Sequence, residues 1–303
     1  MVKRQAKWNI IFMSATIDAF ISSLVINHQR PKGPIFANGM RFIKDIVRVL
    51  NNDQIIVDLE PGCVVCSDIR GSFLDLIRIL QSNGPVSSTK YVFLGNHLGS
   101  GQRNVELLML LFSLKVRYPK NIFLIKGFMD NIERIEGFRE ECEDKGCSEL
   151  VLLIHEAFKY LPIACIIGGK YLCMNNGITK SVKTLIQLRV LNRPLDSTIN
   201  PIVAELFSST LSISQQFFHE NGISLMIRGN SDIQKGYQYN EDNTVLSIIS
   251  SRQANNESAV VSISSNTEHS LVFLPKWVPI VSQVNFDDHF VNKAPHRRQS
   301  NSK

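Results

Sequence analysis

The stretch YVFLGNHLGSG, Tyr91 to Gly101, decides the fold. Its four apolar residues, Tyr91 to Leu94, read as a buried strand. They run into a loop with Gly95, Gly99 and Gly101, and with Asn96, His97 and Ser100 between them. α/β proteins hold ligands in this kind of place, because binding groups collect beyond the carboxyl ends of strands. The pattern repeats on either side. Upstream, strand-like GCVVC ends at SDIRG and is followed by the helical SFLDLIRILQ. Downstream, NVELLMLLFSLKVRY reads as a helix apolar on nearly every face, hence buried, and Tyr118-Pro119 stops it. NIFLI is the next strand, breaking at KGFMDN. Three strand–loop–helix units in succession predict an α/β layered fold with a parallel or mixed sheet.

Further out, residues 16–50 place apolar side chains three and four apart, a helical spacing. In the second half ELVLLIHEAFKYL reads as helix, ACIIGGKYLCM as strand running into NNGIT, SISQQFFHEN as helix, and SLMIRGN as a strand with a polar end. NTVLSIIS and SAVVSIS alternate like two strands of an antiparallel pair. With no internal repeat and no low-complexity linker, the expected organisation is a basic extension over 1–15, one domain over 16–283, and a basic, disordered tail over 284–303.

Apolar residues make up 44% and charged residues 20% of the 303, ordinary for a globular protein. No apolar run approaches the roughly 18 residues of a membrane span, so membrane insertion is not expected. The opening MVKRQAKWNIIFMSAT imitates a secretory signal, but its apolar part is short, contains Asn9 and lacks a small-x-small cleavage site. The expected location is cytoplasmic or nuclear. The net charge of +6 sits at the ends: removing the four cations of residues 293–303 and the three of residues 1–7 leaves −1 for the body. A nucleic-acid binder carries its positive charge on the folded face that meets phosphate, so nucleic acid is not an expected partner. Six cysteines include a C-x-x-C at Cys63 and Cys66. No second pair or histidines at zinc spacing accompany it, so buried free thiols are expected.

The strand-end loops SDIRG, GNHLGSG, KGFMDN, MNNGIT and IRGNSD resemble, in order and spacing, those of the phosphoprotein phosphatase family of serine/threonine phosphatases, within the calcineurin-like metallophosphoesterase superfamily. That family reads Gly-Asp-x-His-Gly, Gly-Asp-x-Val-Asp-Arg-Gly, Arg-Gly-Asn-His-Glu, Val-His-Gly-Gly and Arg-Ala-His at these places. Intervening segments such as EGFREEC, FKYLPIAC and KYLCMNNGIT are similar too, and the likeness runs over roughly residues 17–275. The resemblance implies a two-sheet β-sandwich flanked by helices, with two divalent ions of the Mn, Fe or Zn type at the strand ends. Those ions would activate water against a phosphoserine or phosphothreonine, with a histidine as general acid and arginines on the phosphate.

The sequence departs from that pattern at nearly every functional position. The first metal Asp is kept as Asp68, but its His partner is Arg70. The bridging Asp is Asn96, the next acid is Gly99 and the clamping Arg is Ser100. The metal Asn is Phe128, the general-acid His is Met129 and its Glu neighbour is Asp130. Asn175 and Asn230 stand at two metal His positions, while Arg228 is preserved; the later Ser-Ala-Pro-Asn-Tyr stretch is reduced to SSRQ. Two divalent ions about 3.5 Å apart repel by roughly 19 kcal/mol at an effective dielectric of about 20. One carboxylate and three amides offer little against that, and Arg70 adds a fixed positive charge.

The expectation is therefore a pseudophosphatase with no cofactor, acting by binding proteins or phosphorylated segments, with phosphatase regulatory subunits or phosphoproteins as partners. The alternative is a metal-dependent serine/threonine phosphatase with a rebuilt, mononuclear site. Asp68 and Arg70 are expected to pair. Arg228 and Arg70 either still grip a phosphate or serve structure. Asn175 and Asn230 are read as amides bonding turn backbone. His97, with Asp68 and Asp130, is either a new metal site or, the preferred reading, a surface residue at a loop tip. His155 and His219 are read as surface residues on helices.

Overall fold

A computed structural model describes residues 16–25, 34–101, 103–131, 134, 137–207, 215–252 and 256–275. The basic head and tail lie outside the described residues. The chain builds two mixed sheets, one of six strands and one of five, packed face to face and covered by helices on their outer faces.

The five-stranded sheet is laid down by the units read from the sequence. Strands β2 (Cys63–Cys66), β3 (Lys90–Phe93) and β4 (Ile122–Leu124) are mutually parallel. Helices α4 (Phe73–Ser82) and α5 (Asn104–Arg117) cross between them. Side chains divide with a period of two. Cys63, Val65, Val92, Phe123 and Ile125 face the other sheet, whereas Val64, Cys66, Tyr91, Phe93, Ile122 and Leu124 face the helices. Both faces are thus buried, which is why these strands read as unbroken apolar runs. Helix α5 is enclosed by its neighbours along its length, and even Lys115 is buried, its Nζ 2.7 Å from Asp53. The helical reading of 16–50 resolves into residues 16–25 (α1), α2 (Pro34–Ile43) and α3 (Ile46–Asn51), whose described apolar side chains join the same core.

The six-stranded sheet runs β1 (Ile56–Leu59), β5 (Ala164–Ile167), β6 (Tyr171–Met174), β7 (Leu225–Arg228), β9 (Val245–Ile248), β8 (Tyr237–Tyr239). Two sequence readings are corrected here. ACIIGGKYLCM is two antiparallel strands, β5 and β6, because Gly168 and Gly169 take positive φ and turn the chain. NTVLSIIS and SAVVSIS do not pair. The first forms β9 beside β7, and the second forms β10 (Ala259–Ile263) in the other sheet, between β2 and β11 (His269–Phe273). Both alternate because each has one face in the inter-sheet core, so alternation alone could not name the partner.

Helices α6 (Phe138–Asp144) and α7 (Glu149–Phe158) complete the cover of one face, and α8 (Leu185–Arg189), α9 (Pro201–Leu206) and α10 (Gln215–Asn221) cover the other. All six cysteines are buried and free, as expected. Among the described residues no helix is long and apolar enough to cross a membrane.

Candidate functional site

The loops leaving the carboxyl ends of β2, β3, β4, β6 and β7 meet at one end of the sandwich, around Asp68. Its carboxylate is 0% exposed and receives hydrogen bonds on both oxygens. Oδ1 accepts from Ser67 Oγ at 3.0 Å, the Asn230 backbone N–H at 3.0 Å and Asn175 Nδ2 at 3.4 Å. Oδ2 accepts from Arg70 Nη2 at 2.9 Å, Arg70 Nε at 3.3 Å and Asn96 Nδ2 at 3.2 Å. Arg70 reaches on to Asp232, Nη1 to Oδ1 at 3.0 Å. Burial alone would lower the Arg70 pKa, but Asp68 and Asp232 outweigh it and raise the value. The expected Asp68–Arg70 pair is present, and it lies across the carboxylate face.

The amides tie the loops to one another. Asn96 Oδ1 accepts the Met129 N–H at 2.8 Å, and Asn175 Oδ1 accepts the Phe128 N–H at 2.9 Å. Asn230 departs from the sequence reading: its side chain bonds other amides in place of turn backbone, accepting from Asn96 at 3.2 Å and donating to Asn176 at 2.6 Å. Asp68, Arg70, Asn96 and Asn230 all have φ near +50°, a region that asparagine tolerates better than most residues. Arg228 is spent on its own loop, donating from Nε to the Gly229 carbonyl at 3.0 Å and from Nη2 to the Asn230 carbonyl at 3.2 Å. Of the two readings for it, geometry favours the structural one. Asp232 and Asn176 were not singled out in the sequence, nor was Ser250, whose Oγ accepts the Ser67 N–H at 2.9 Å. All three lie in segments already marked, MNNGIT, IRGNSD and SSRQ, but Asp232 and Ser250 lie more than a hundred residues from their partners, so these contacts were not legible.

His97 is the clear correction. It is 2% exposed, and Nδ1 lies 2.9 Å from Asp130 Oδ2. Asp130 also accepts the backbone N–H groups of His97 at 2.9 Å and Gly127 at 2.7 Å. The pair clamps the β3 loop to the β4 loop; Asp68 takes no part in it. Nε2 has no hydrogen-bond partner among the described residues. His155 and His219 are exposed on α7 and α10, as read.

Burial pushes the Asp130 carboxyl up, but the His97 charge and hydrogen bond, with the two backbone donors, hold it below the usual carboxylate value. A lowered folded pKa stabilises above the unfolded value of about 3.9 and is lost as pH falls through the folded value. Asp130→Asn should therefore lose roughly 1.5–3 kcal/mol at pH 7, the range for hydrogen bonds to charged groups. Its stability should also vary less than the parent's below about pH 4. Urea titrations from pH 7 to 3 measure both, and parallel acid limbs would exclude this role.

Two divalent ions need several anionic or imidazole donors. Here one carboxylate, three amides and a guanidinium converge, and Phe128 and Met129 occupy the remaining positions. Among the described residues no three of His, Cys, Asp and Glu are grouped as a metal site would group them. This donor set does not fit a dinuclear centre.

Comparison with known proteins agrees with the fold. The profile of the calcineurin-like phosphoesterases matches residues 63–221. The serine/threonine-protein phosphatase PP1-delta of Caenorhabditis elegans is 29% identical over 245 residues, 72% of this chain and 80% of that protein. A serine/threonine phosphatase from Saccharomyces cerevisiae, described as similar to human phosphatase PP5, superposes with a TM-score of 0.75 at 21% identity, covering 86% of this chain and 97% of its own. A cold-active protein-tyrosine phosphatase from a psychrophilic Shewanella gives 0.57 at 11% identity over 75% and 84%.

Proposed function

This chain belongs to the calcineurin-like phosphoesterases, in their phosphoprotein phosphatase-like group, and we propose that within that family it is a binding protein and not a hydrolase. One observation carries the reading: the Arg70 guanidinium covers the only retained metal carboxylate, Nη2 lying 2.9 Å from Asp68 Oδ2. A fixed positive charge there takes up the acceptor capacity that a divalent ion would need. Asn96 and Asn175 then spend their oxygens on the Met129 and Phe128 backbone. The loops hold each other, and Met129, at the general-acid position, has no group that can move a proton.

The scaffold that presents these loops is kept. Both sheets and the buried α5 keep extensive apolar cores, which hold the strand-end loops in place for a protein partner. Phosphatase regulatory subunits and phosphoproteins in the cytoplasm or nucleus are the partners this reading names. The alternative, a metal-dependent phosphatase with a mononuclear site, separates cleanly in one experiment. Full-length protein dialysed against manganese and then against metal-free buffer should retain well under one metal ion per chain. Hydrolysis of a phosphoserine peptide should stay at background and be indifferent to Asp68→Asn. One or more ions held per chain, together with a rate that Asp68→Asn abolishes while its unfolding remains cooperative, would establish the hydrolase instead.

A further inference from the structure

The cations at the loop cluster are spent: Arg70 on Asp68 and Asp232, Arg228 on carbonyls. Lys126 is engaged less fully, by one carbonyl. Lys126 follows β4 and lines a cavity of about 250 Å³ that shares Gly127, Phe128 and Asp130 with the third loop. Its Nζ donates to the Phe158 carbonyl at 2.8 Å, and no carboxylate lies within ion-pair distance of it among the described residues. An ammonium carries three donors, and the Phe158 carbonyl takes one of them at the cavity wall.

The rest of the wall suits an anion. Arg134, stacked 4.0 Å over the Phe128 ring and donating from Nη1 to the Phe128 carbonyl at 2.7 Å, and Lys159, 3.5 Å from Glu156, bring two more positive charges. His155 adds an imidazole at the rim. Two acids face the same space: Asp130, bonded to His97, and Asp196, whose Oδ1 accepts the Thr198 N–H at 2.8 Å and hydroxyl at 2.7 Å, bonds that favour its carboxylate. The three cations outnumber them by one. Phe158, Leu195 and Phe207 supply an apolar side, with the Phe207 ring 5.7 Å from the Lys126 Nζ. The space is below the range of drug-sized pockets and accommodates a phosphoryl group with a small apolar body.

We infer that this cavity is a phosphate-monoester site, with Lys126 as its central cation and Arg134 and Lys159 at its mouth. The inference rests on the binding-protein reading, because it gives that reading its ligand chemistry: a phosphoryl group is held beside the altered loops and is not cleaved. Lysine is a compact point charge suited to phosphate oxygens. Burial, the largest influence, pushes the Lys126 ammonium down to about 8, against the raising effect of Asp130 and Asp196. An ammonium that burial outweighs in this way gains most from an incoming anion.

The test uses full-length protein in chelator-treated buffer, with phenyl phosphate and a phosphoserine peptide as separate probes. Trace acetylation read by mass spectrometry should show Lys126 labelling slowed at least tenfold by saturating probe, relative to exposed lysines. Lys126→Met should weaken calorimetric binding at least tenfold while its thermal unfolding remains cooperative. Protection by phenyl phosphate assigns the site to small monoesters, and protection by the peptide alone assigns it to phosphorylated side chains; either supports the inference. Unprotected Lys126 with both probes, or unchanged affinity in Lys126→Met, overturns it. If the full-length protein instead holds one or more ions per chain and hydrolyses the phosphopeptide, the binding-protein reading fails, while Lys126 protection in chelator still reports on this cavity.

Discussion

Asp68→Ala should destabilise the protein by about 3–5 kcal/mol, the cost of removing one partner from a buried, hydrogen-bonded charge pair. Asp68 is fully buried, and its Arg70 partner is only 17% exposed. Without the carboxylate, the Arg70 guanidinium keeps only Asp232, which is 90% exposed and so contributes little. The Asn230 N–H and the Asn96 and Asn175 amide donors lose their acceptor at the same time, each at a desolvation cost. A second substitution isolates the pair. Arg70→Ala added to Asp68→Ala should cost much less than Arg70→Ala in the parent, a coupling of roughly 1–3 kcal/mol. Urea denaturation of the four proteins gives both numbers. A loss below about 1 kcal/mol for Asp68→Ala would mean that the carboxylate does not hold the loops together. The result bears on function, because a carboxylate kept to hold metal is not expected to have a guanidinium as its stability partner.

In the five-stranded sheet β11 was not read and β10 was given the wrong partner. Its other three strands, β2, β3 and β4, were legible because each carries its own local signal: an apolar run, a polar stop, then a helical spacing or turn. The Asp68–Arg70 pair was legible for a similar reason, the two residues being two apart in one short loop. Long-range pairing was less so. Val245–Ile248 and Ala259–Ile263 are neighbours in sequence and alternate alike, yet they belong to different sheets. The Ala259 N–H to Ile249 carbonyl bond, 2.9 Å, marks where the chain crosses from one sheet to the other. His97 was misplaced because a polar residue in a glycine-rich loop reads as exposed. Its burial depends on Asp130, thirty-three residues away, supplying the acceptor. The Lys126 cavity needed α7 and the Leu195–Thr198 segment to close it, so the sequence showed only a lysine after a strand.

Gly95→Ala should cost about 2–6 kcal/mol, combining backbone strain with overpacking. Gly95 has φ +94°, and a Cβ there would lie 2.4 Å from both N and Cα of Gly127. The relation is mutual: a Cβ on Gly127 would lie 2.2 Å from the Asn96 backbone nitrogen. The β3 and β4 loops therefore cross backbone to backbone, and no flexible side chain can yield. The crossing lets Asn96 accept the Met129 N–H and Asp130 accept the His97 N–H. Gly222→Ala is the control. It has φ +66° after α10 with nothing within 4 Å of an added Cβ, so it should cost only the left-handed strain, about 1–2 kcal/mol. The difference between the two variants measures the crossing itself. Because Gly127 and Phe128 also form the Lys126 cavity wall, Gly95→Ala should change Lys126 acetylation as well, and Gly222→Ala should not. Equal losses in the two variants, with Lys126 reactivity unmoved, would show that the loops can part without consequence. That outcome would remove the basis for treating the altered loops and the neighbouring cavity as one rigid binding surface.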